Sequence, residues 1–364
     1  MKGSSIIYSS KPSIGRGERN AVMHVLKSGM LASGPKVKEF EEAFCKKIGV
    51  KNAVAVSSGT TALHTALLAL GIGKGDKVLT TPFSFIASSN AVLFTGAKPV
   101  FCDIDPTTFN MDTAGAEAIL KKEKIKAILV VHLYGLTCDM TLFKKLAKKY
   151  GTYLVEDCAQ AIGASYKEQR AGTIGDIGCF SLYATKNVMS AEGGIVATNN
   201  KKLADKVRGL INHGRTSRFK HGTLGYNFRM TDIQAAIAKV QLNRLTEFTN
   251  KRRQNAKYFN KELKHVTWLS TPYTPKECYH VFHQYVILVP QKERDDCVNF
   301  LNNHGIQATP IYPMTIPEQS FYKKMKYKTL PIAKKISRSV VCLPVHPQVT
   351  KNDLKKIVTK LKRL

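Results

Sequence analysis

The chain has 364 residues, of which 43% are hydrophobic and 23% charged, the balance of a soluble globular protein with a sizeable core. Its glycines and prolines are scattered, which excludes a fibrous or low-complexity protein. The formal net charge of +30 favours anionic partners, but the lysines are spread along the whole chain without a basic tail. We interpret the charge as a solvated surface that helps to attract an anionic substrate, and we predict no nucleic-acid partner.

The cysteines and the N-terminus predict a cytoplasmic protein. None of the eight cysteines forms a C-x-x-C pair, which favours reduced core thiols over disulfides or a zinc site. His280 and His283 fall in a predicted strand, where a spacing of three places them on opposite faces, so no metal site is expected. The N-terminus lacks the apolar core of a signal peptide, and the two long uncharged runs are too rich in Ser, Thr and Gly for membrane spans. We therefore predict no membrane partner.

The first elements lead to a candidate anion site. The chain begins with an arm. The pattern then predicts a helix at 19–26, a glycine-rich turn at 28–35, a helix at 37–48 and a buried strand at 53–56. The segment SSGTTALH, residues 57–64, then opens a helix that runs to residue 70. Free N–H groups at a helix N-terminus favour a phosphate, and Gly59 lets it approach the backbone closely. Ser and Thr also cap ordinary helices, so this signal alone is of moderate specificity.

Strands and helices then alternate. Strands are predicted at 77–80, 99–102 and 127–132, with helices at 113–121 and 140–150. Repeated βα units of this length predict an α/β protein with a mainly parallel sheet between layers of helices. Within this region, Phe83 and Phe85 could each be a core residue, or one of them could stack on a ligand ring.

The segment 150–198 contains the residues with the strongest chemical signal. Asp157 ends a short apolar strand, at the edge where open α/β sheets bind ligands. Lys186 follows the next predicted strand, in a loop that leads to Glu192-Gly193-Gly194. A lysine that can form a Schiff base and a carboxylate that can pair with a pyridinium nitrogen are what pyridoxal phosphate (PLP) needs.

The remainder of the sequence predicts a second, smaller domain. A helix at 201–212 and a polar loop ending in a Thr231–Gln234 capping box precede one long helix over 231–258. After it the sequence predicts a strand at 281–289, a helix at 292–304, a strand at 306–311 and helices at 332–340 and 352–364. We expect an arm and a large PLP-binding domain over 1–250 and a small α/β domain over 251–364.

Three motifs in order, EDCAQA, GDIGCFSLYATKN and EGG, resemble the PLP-binding core of the DegT/DnrJ/EryC1/StrS aminotransferases. The resemblance extends from about residue 12 to the C-terminus and implies PLP fold type I. Ala184 stands where that family often has proline, and Met189-Ser190-Ala191 replaces a more glycine-rich stretch, so the shape of this loop is open.

The resemblance also implies the roles of individual residues. Lys186 and Asp157 are the expected catalytic pair. Gly59, Thr60 and Ser181 match the positions that bind the cofactor phosphate.

Further positions match the family outside the catalytic pair. Phe85 matches the aromatic that stacks on the pyridine ring, and Gln160 can bond near the phenolic oxygen. In the GYNFRM segment, Asn227 matches a residue that reaches the cofactor phosphate of the partner subunit, which implies a homodimer with shared active sites. His132 and Arg229 are expected to be structural.

By the same resemblance, the expected reaction moves an amino group from L-glutamate to a nucleotide-linked ketosugar, in amino-sugar and polysaccharide biosynthesis. Cyclitol or aminobenzoate-type aminotransferases of the same fold stay open. A sugar dehydratase is disfavoured, because those members carry histidine where this chain has Lys186. A basic nucleic-acid-binding or regulatory protein on a PLP scaffold is the non-enzymatic alternative.

Overall fold

The structure is a computed structural model that describes residues 6–328 and 330–364. Within these residues the helices are α1 (Arg16–Ser28), α2 (Pro35–Ile48), α3 (Gly59–Ala69), α4 (Ala87–Phe94), α5 (Thr113–Leu120), α6 (Met140–Tyr150), α7 (Lys201–Leu210), α8 (Asp232–Asn243), α9 (Leu245–Leu263), α10 (Arg294–Asn303), α11 (Ser320–Lys323), α12 (Pro331–Ser337) and α13 (Lys351–Leu361). Short 3₁₀ turns lie at Leu133–Gly135 and Ile316–Glu318.

The strands alternate with these helices over most of the chain. They are β1 (Asn52–Val56), β2 (Lys77–Thr80), β3 (Lys98–Phe101), β4 (Ala127–Val131), β5 (Tyr153–Asp157), β6 (Ser165–Tyr166), β7 (Gln169–Arg170), β8 (Ile177–Ser181), β9 (Gly194–Thr198), β10 (Arg215–Ser217), β11 (Lys220–His221), β12 (Cys278–Tyr279), β13 (Tyr285–Leu288) and β14 (Val340–Leu343).

A seven-stranded sheet, in the order β1-β9-β8-β5-β4-β2-β3, forms the centre of the described chain. Strand β9 runs antiparallel to both of its neighbours, β1 and β8. The pairs from β8 through β5, β4 and β2 to β3 are all parallel. The predicted α/β class with a mainly parallel sheet is therefore confirmed.

Helices cover both faces of this sheet because successive side chains of each strand point to opposite sides. In β1, Ala53 and Ala55 join the apolar cluster that contains Phe40 and Phe44 of α2. Val54 and Val56 join the other cluster, with leucines of α3. Each large apolar side chain buried in this way contributes roughly 1.5–3 kcal/mol to stability.

The C-terminal third forms a smaller lobe. Strands β13 and β14 pair antiparallel, with Tyr285 opposite Leu343. A separate apolar cluster surrounds this pair and includes Phe259 of α9, Leu301 of α10 and Ile357 of α13. This lobe has its own core, as a strand-helix pattern of this length predicts.

The N-terminal arm contacts both lobes. The N–H of Ile7 donates to the carbonyl of Gly305 at 2.8 Å, and Ile7 lies in the apolar cluster of the small lobe. A few residues later, the carbonyl of Ser13 accepts from Nε2 of Gln241 in α8 at 2.8 Å. Glu18 of α1 bonds the same Gln241 at 2.6 Å.

Several predicted elements of the second half were wrong. The single helix expected over 231–258 is two helices, α8 and α9, because Arg244 leaves helical geometry at ψ 1° and the chain turns there. The strand expected over 281–289 starts only at Tyr285, because Phe282 has a positive φ of 46°. His280 and His283 therefore precede the strand.

Two other boundaries also differ from the prediction. Residues 306–311 form isolated bridges, at Ile306 and Thr309, in place of a strand. The helix expected over 332–340 ends at Ser337, and Val340 opens β14. No helix of the described residues is long and apolar enough to span a membrane. All eight cysteines are unpaired thiols, as expected.

Candidate active site

Asp157 lies at the carboxyl end of β5, in the middle of the sheet. Its side chain is 3% exposed. Oδ2 accepts from the Ser88 hydroxyl at 2.7 Å, and Oδ1 accepts from the N–H of Ala159 at 3.0 Å. Burial raises the pKa of this carboxyl, and the bond from Ser88 only partly offsets it. Asp157 thus holds bonding capacity that the protein itself does not use.

Ser88 is a positioning residue that the sequence analysis missed. It lies in the first turn of α4, and its hydroxyl pairs with that of Ser84 at 2.8 Å. The two hydroxyls form a chain that fixes Oδ2 of Asp157 from the neighbouring loop. The available signal was the serine pair four residues apart in the PFSFIASS segment, of which Ser84 lies before the start of α4 and Ser88 within it.

Lys186 follows β8 in the loop between β8 and β9. Burial lowers the pKa of its amine to about 8, while the charge of Asp157 acts in the opposite direction. Near pH 8, the neutral and the protonated forms of the amine are therefore both well populated. A neutral buried amine is the form that can attack a carbonyl or accept a proton.

The N-terminus of α3 faces the end of β8. Ser58 is the N-cap and accepts from the N–H of Thr61 at 3.1 Å. Gly59 and Thr60 come first in the helix, so their N–H groups have no carbonyl within the helix to bond. A Cβ at Gly59 would lie 2.7 Å from Cβ of Ser181, so only glycine permits this approach. The three residues predicted to bind the phosphate thus lie together, and we call this group the cradle.

The two phenylalanines after β2 differ in their surroundings. Phe83 is fully buried in a core cluster. Phe85 is 57% exposed, with its ring 6.3 Å from that of Tyr312. Phe85 therefore has a free aromatic face, whereas Phe83 has none. The exposed ring of Phe85 is accessible to a ligand, and its stacking on a cofactor ring stays a prediction.

Gln160 is fixed at both ends of its amide. Oε1 accepts from the N–H of Tyr134 at 2.7 Å, and Nε2 donates to the hydroxyl of Tyr312 at 3.0 Å. Tyr312 was not singled out by the sequence analysis as a site residue. Burial raises the pKa of its phenol, with a further contribution from the charge of Asp157, so the hydroxyl stays protonated.

His132 is structural, as expected. Its Nε2 lies 2.9 Å from Oε2 of Glu156, and its Nδ1 accepts from the N–H of Cys138 at 3.1 Å. Glu156 also accepts from the N–H groups of Gly172, Ile174 and Gly175. His132, Glu156 and Cys158 lie close enough to hold a metal ion, but hydrogen bonds already occupy the histidine and the carboxylate.

Asn227 is exposed and lies in the segment after the β10–β11 hairpin, where the carbonyl of the next residue, Phe228, accepts from the N–H of Ser57 at 2.8 Å. Its neighbour Arg229 donates to Oδ1 of Asn212 at 2.8 Å, in agreement with the expected structural role. The segment that contains Asn227 is thus attached to the turn that precedes α3, and the expected role of Asn227 toward the cofactor of a partner subunit stays a prediction.

The donor set fits PLP. The helix N-terminus accepts a phosphate dianion, Lys186 offers a partly neutral amine, and Asp157 offers a carboxylate to a ring nitrogen. Phe85 presents an open aromatic face beside them. The clash that a Cβ at Gly59 would meet with Ser181 shows that the start of α3 packs directly against the end of β8.

Comparison with known proteins supports the family resemblance. Residues 12–362 match the DegT/DnrJ/EryC1/StrS aminotransferase family. A UDP-N-acetyl-3-dehydro-alpha-D-glucosamine 3-aminotransferase of Acidithiobacillus ferrooxidans is 39% identical over 316 residues, covering 86% of this chain and 85% of the relative. A pleiotropic regulatory protein of Geobacillus stearothermophilus is 38% identical over 343 residues, covering 93% and 91%.

Solved structures share the whole architecture. Helicobacter pylori PseC, an aminotransferase involved in the biosynthesis of pseudoaminic acid, superposes with a TM-score of 0.94 at 28% identity, covering 99% of both chains. The agreement spans both lobes and the arm.

Proposed function

The chain belongs to the DegT/DnrJ/EryC1/StrS aminotransferase family, and from that premise we propose that it transfers the amino group of L-glutamate to the keto carbon of a nucleotide-linked ketosugar. Membership makes it a PLP-dependent sugar aminotransferase by class. The observation that carries the proposal is the meeting of a partly neutral Lys186, a buried Asp157 and the Gly59 cradle at one edge of the sheet.

Each part of the cofactor has a binding group in this chain. The N–H groups at the start of α3 and the Ser181 hydroxyl hold the phosphate, and Phe85 covers the ring. Bound PLP supplies an aldehyde that links to amines and a ring that withdraws electrons from the carbon next to the linked nitrogen. Asp157, fixed by Ser88, holds a proton on the ring nitrogen and so keeps that withdrawal strong.

Lys186 has two roles. Its amine would hold bound PLP between turnovers and would be released when the amine of the donor takes its place. The freed amine would then take the proton from the α-carbon of the donor and give a proton to the C4′ carbon of the cofactor. A pKa of about 8 suits both steps, because the amine gains and loses a proton near neutral pH.

Two further features support the substrate and the assembly. The net charge of +30 attracts an anionic substrate such as a nucleotide-linked sugar. The relative from A. ferrooxidans is named for such a substrate, a UDP-linked 3-keto sugar. The exposed Asn227 supports a homodimer in which Asn227 of one subunit reaches the cofactor phosphate of the other.

The name of the G. stearothermophilus relative favours a second candidate, a regulatory protein on the same scaffold. This candidate and the enzyme differ in what glutamate does to the bound cofactor. A regulatory protein that binds nucleic acid through its positive charge would be retained on DNA-cellulose and released by salt. The enzyme proposal expects no such retention at physiological salt.

The deciding measurement is the visible absorbance of the PLP-loaded protein before and after L-glutamate, for the wild type and Lys186→Ala. We expect the wild type to show the band of lysine-bound PLP, and glutamate to abolish it with release of 2-oxoglutarate. Lys186→Ala should lack the band and lose about 10²- to 10⁴-fold in the rate of proton transfer. A nucleotide-linked ketosugar should restore the wild-type band.

Two outcomes would contradict the proposal. A wild type that binds no PLP would remove its basis and bring the regulatory candidate forward. A PLP band that glutamate leaves unchanged, over a range of amino acids, would mean that the reaction is not a transamination.

A further inference from the structure

A cavity lies between the C-terminal end of α2, the β6–β7 hairpin and the start of α9. Its volume is about 380 Å³, within the range of small-molecule sites, roughly 300–1,000 Å³. Lys47 lines it from α2, Arg170 from the hairpin, and Thr246 and Thr249 from α9. None of its described lining residues belongs to the candidate active site. We call it the α2–α9 cavity.

Both cations of the α2–α9 cavity hold N–H groups that the protein does not use. Nζ of Lys47 donates to the Thr246 hydroxyl at 3.2 Å. Nη1 of Arg170 donates to the carbonyl of Gly163 at 2.8 Å. Each of these bonds leaves most of the N–H donors of its ammonium or guanidinium group free. Both side chains are exposed, so an anion can reach the remaining donors.

The start of α9 adds a fixed positive potential. Its N-cap residue, Arg244, makes no side-chain capping bond. The first N–H groups of a helix have no acceptor within the helix, and the helix dipole places partial positive charge at this end. Leu245 and Thr246, the first two residues of α9, line the cavity. A helix N-terminus beside a lysine and an arginine offers the donors that bind phosphate groups.

Thr249 is an independent sign of a ligand. It lies one helical turn after Leu245, lines the same cavity and is 4% exposed. Its hydroxyl has no hydrogen-bond partner among the described residues, although a threonine within a helix can bond the carbonyl four residues back. A buried hydroxyl without a partner costs stability, so it indicates a bonding group that the protein does not itself supply.

The charge around the cavity is positive. Glu168, in the turn of the hairpin, is the only acid among the described lining residues, against Lys47 and Arg170. Arg253 adds a further cation next to the lining, because its guanidinium lies 4.0 Å from the centre of the ring of Tyr279, which lines the cavity. An anion therefore gains more from this cavity than a neutral molecule of the same size.

We propose that the α2–α9 cavity binds the phosphate group of a small molecule, with Lys47, Arg170 and the N-terminus of α9 as donors. The Thr249 hydroxyl completes this set from the buried side. The cavity is larger than a single phosphate ion requires, so it has room for a diphosphate or for a nucleotide. The inference is independent of the proposed function, because no lining residue takes part in the proposed reaction.

The test measures the binding of inorganic pyrophosphate and of UDP to the PLP-loaded protein by calorimetry. It uses about 0.1 M salt, where charges outside the cavity are largely screened. We expect Lys47→Gln/Arg170→Gln to bind pyrophosphate about 10- to 100-fold more weakly than the wild type. Thr249→Val keeps the size of the side chain and loses the hydroxyl, so it should bind about 2- to 10-fold more weakly.

The two probes distinguish the two sources of phosphate. UDP that binds more tightly than pyrophosphate, and loses this binding in Lys47→Gln/Arg170→Gln, would identify a nucleotide as the ligand. Equal affinities for the two probes, both lost in this variant, would identify the diphosphate alone.

A matched double variant, Lys46→Gln/Lys167→Gln, removes two positive charges from the same helix and hairpin outside the cavity. Lys46 precedes Lys47 in α2, and Lys167 lies in the turn between β6 and β7. This variant should bind pyrophosphate within about 2-fold of the wild type.

Glu168→Gln supplies a change of the opposite sign. It removes the acid from the lining, so pyrophosphate should bind about 2- to 5-fold more tightly than in the wild type. General damage to the cavity cannot produce such a gain.

Three results would overturn the inference. Equal weakening in both double variants would mean that the overall positive charge attracts the anion. Variants that bind like the wild type would remove the named donors from any site. A wild type that binds neither probe more tightly than about 10 mM would leave the cavity without a phosphate ligand. Should Lys47→Gln/Arg170→Gln not fold, Thr249→Val and Glu168→Gln give the decision through their opposite signs.

Discussion

Two neighbouring carboxyl groups at the end of β5 are both buried but have opposite electrostatic character. Glu156 accepts from His132 and from the N–H groups of Gly172, Ile174 and Gly175. Those bonds lower its pKa in spite of burial. Asp157 accepts only from Ser88 and Ala159 within the described chain, and burial raises its pKa.

The difference shows how a buried acid can be classified. Consecutive residues of a strand point to opposite faces, so the two carboxyls meet different surroundings. One face supplies enough donors to satisfy the charge, and that acid stabilises the fold. The other face leaves the charge short of donors, and that acid is available to a ligand. The predictions below test this contrast.

The largest effect is expected on stability at Glu156. In Glu156→Ala, three backbone N–H groups and His132 lose their acceptor in the interior. We expect the free energy of unfolding to fall by about 3–5 kcal/mol, as measured by urea denaturation. Glu156→Gln, which keeps one acceptor oxygen, should fall by less. A loss below about 1 kcal/mol in Glu156→Ala would contradict the structural role.

At Asp157 the expected effect is on activity. Asp157→Asn removes the charge that holds a proton on the cofactor ring, so transamination should slow by about 100- to 1,000-fold. The folded protein should not lose stability, because a poorly compensated buried charge is also removed. Rates with glutamate and urea denaturation together check both parts. Equal losses of stability in the Glu156 and Asp157 variants would break the contrast.

A third change tests the cradle near Asp157. A Cβ at Gly59 would lie 2.7 Å from that of Ser181, so Gly59→Ala displaces the helix N-terminus from the phosphate. We expect affinity for PLP to fall about 10- to 100-fold, measured by fluorescence titration. Gly73→Ala is the control, because its nearest atom, the carbonyl oxygen of Thr95, would lie at 3.9 Å. Equal affinities in the two variants would show that the cradle tolerates a side chain.

The smallest effect is a difference in pH dependence between the two acids in the cofactor-free protein. The pKa of Glu156 lies below its ordinary value of 4.5, so its stabilising contribution is present above that pH and is lost as the pH falls through the lowered pKa. The pKa of Asp157 lies above 3.8, so its contribution is present below that pH and is lost as the pH rises through the raised pKa.

The opposite directions of these two pH dependences can be measured as differences in stability between the wild type and each variant. From about pH 7 to about pH 4, the stability of the wild type relative to Glu156→Gln should fall. Over the same range, its stability relative to Asp157→Asn should rise. Urea denaturation at both pH values gives the differences. Two differences of the same sign would mean that the acids are not distinguished by their surroundings.

The chemistry at the sheet edge was predictable because it lies in short, local motifs. Asp157 at a strand end, Lys186 in the following loop and Gly59 at a helix start are each visible in the sequence. The family resemblance selected Asp157 over Glu156, but the sequence did not show why Glu156 is satisfied, because three of its donors come from residues 172–175. Arg252 reads in the sequence as one of several cations on a basic helix, and its burial depends on the small lobe.

The elements that were predicted wrongly are interrupted at points that carry no signal in the sequence. The break between α8 and α9 falls at Arg244, without a glycine or proline to mark it. Phe282 has a positive φ, which the apolar run at 281–289 gives no reason to expect. Long-range contacts lie at both points. Arg244 bonds Ser13 and Glu18, and Arg252 bonds the carbonyls of Phe282 and His283.

The N-terminal arm has a mechanical consequence. It is joined to the small lobe by the bonds of Ile7 with Gly305 and Gln307, and to the large lobe by the bond from Gln241 to Ser13. Rotation of one lobe against the other must therefore break one of these attachments or stretch the few residues between them. The arm is therefore a short tether that limits the movement of the two lobes against each other.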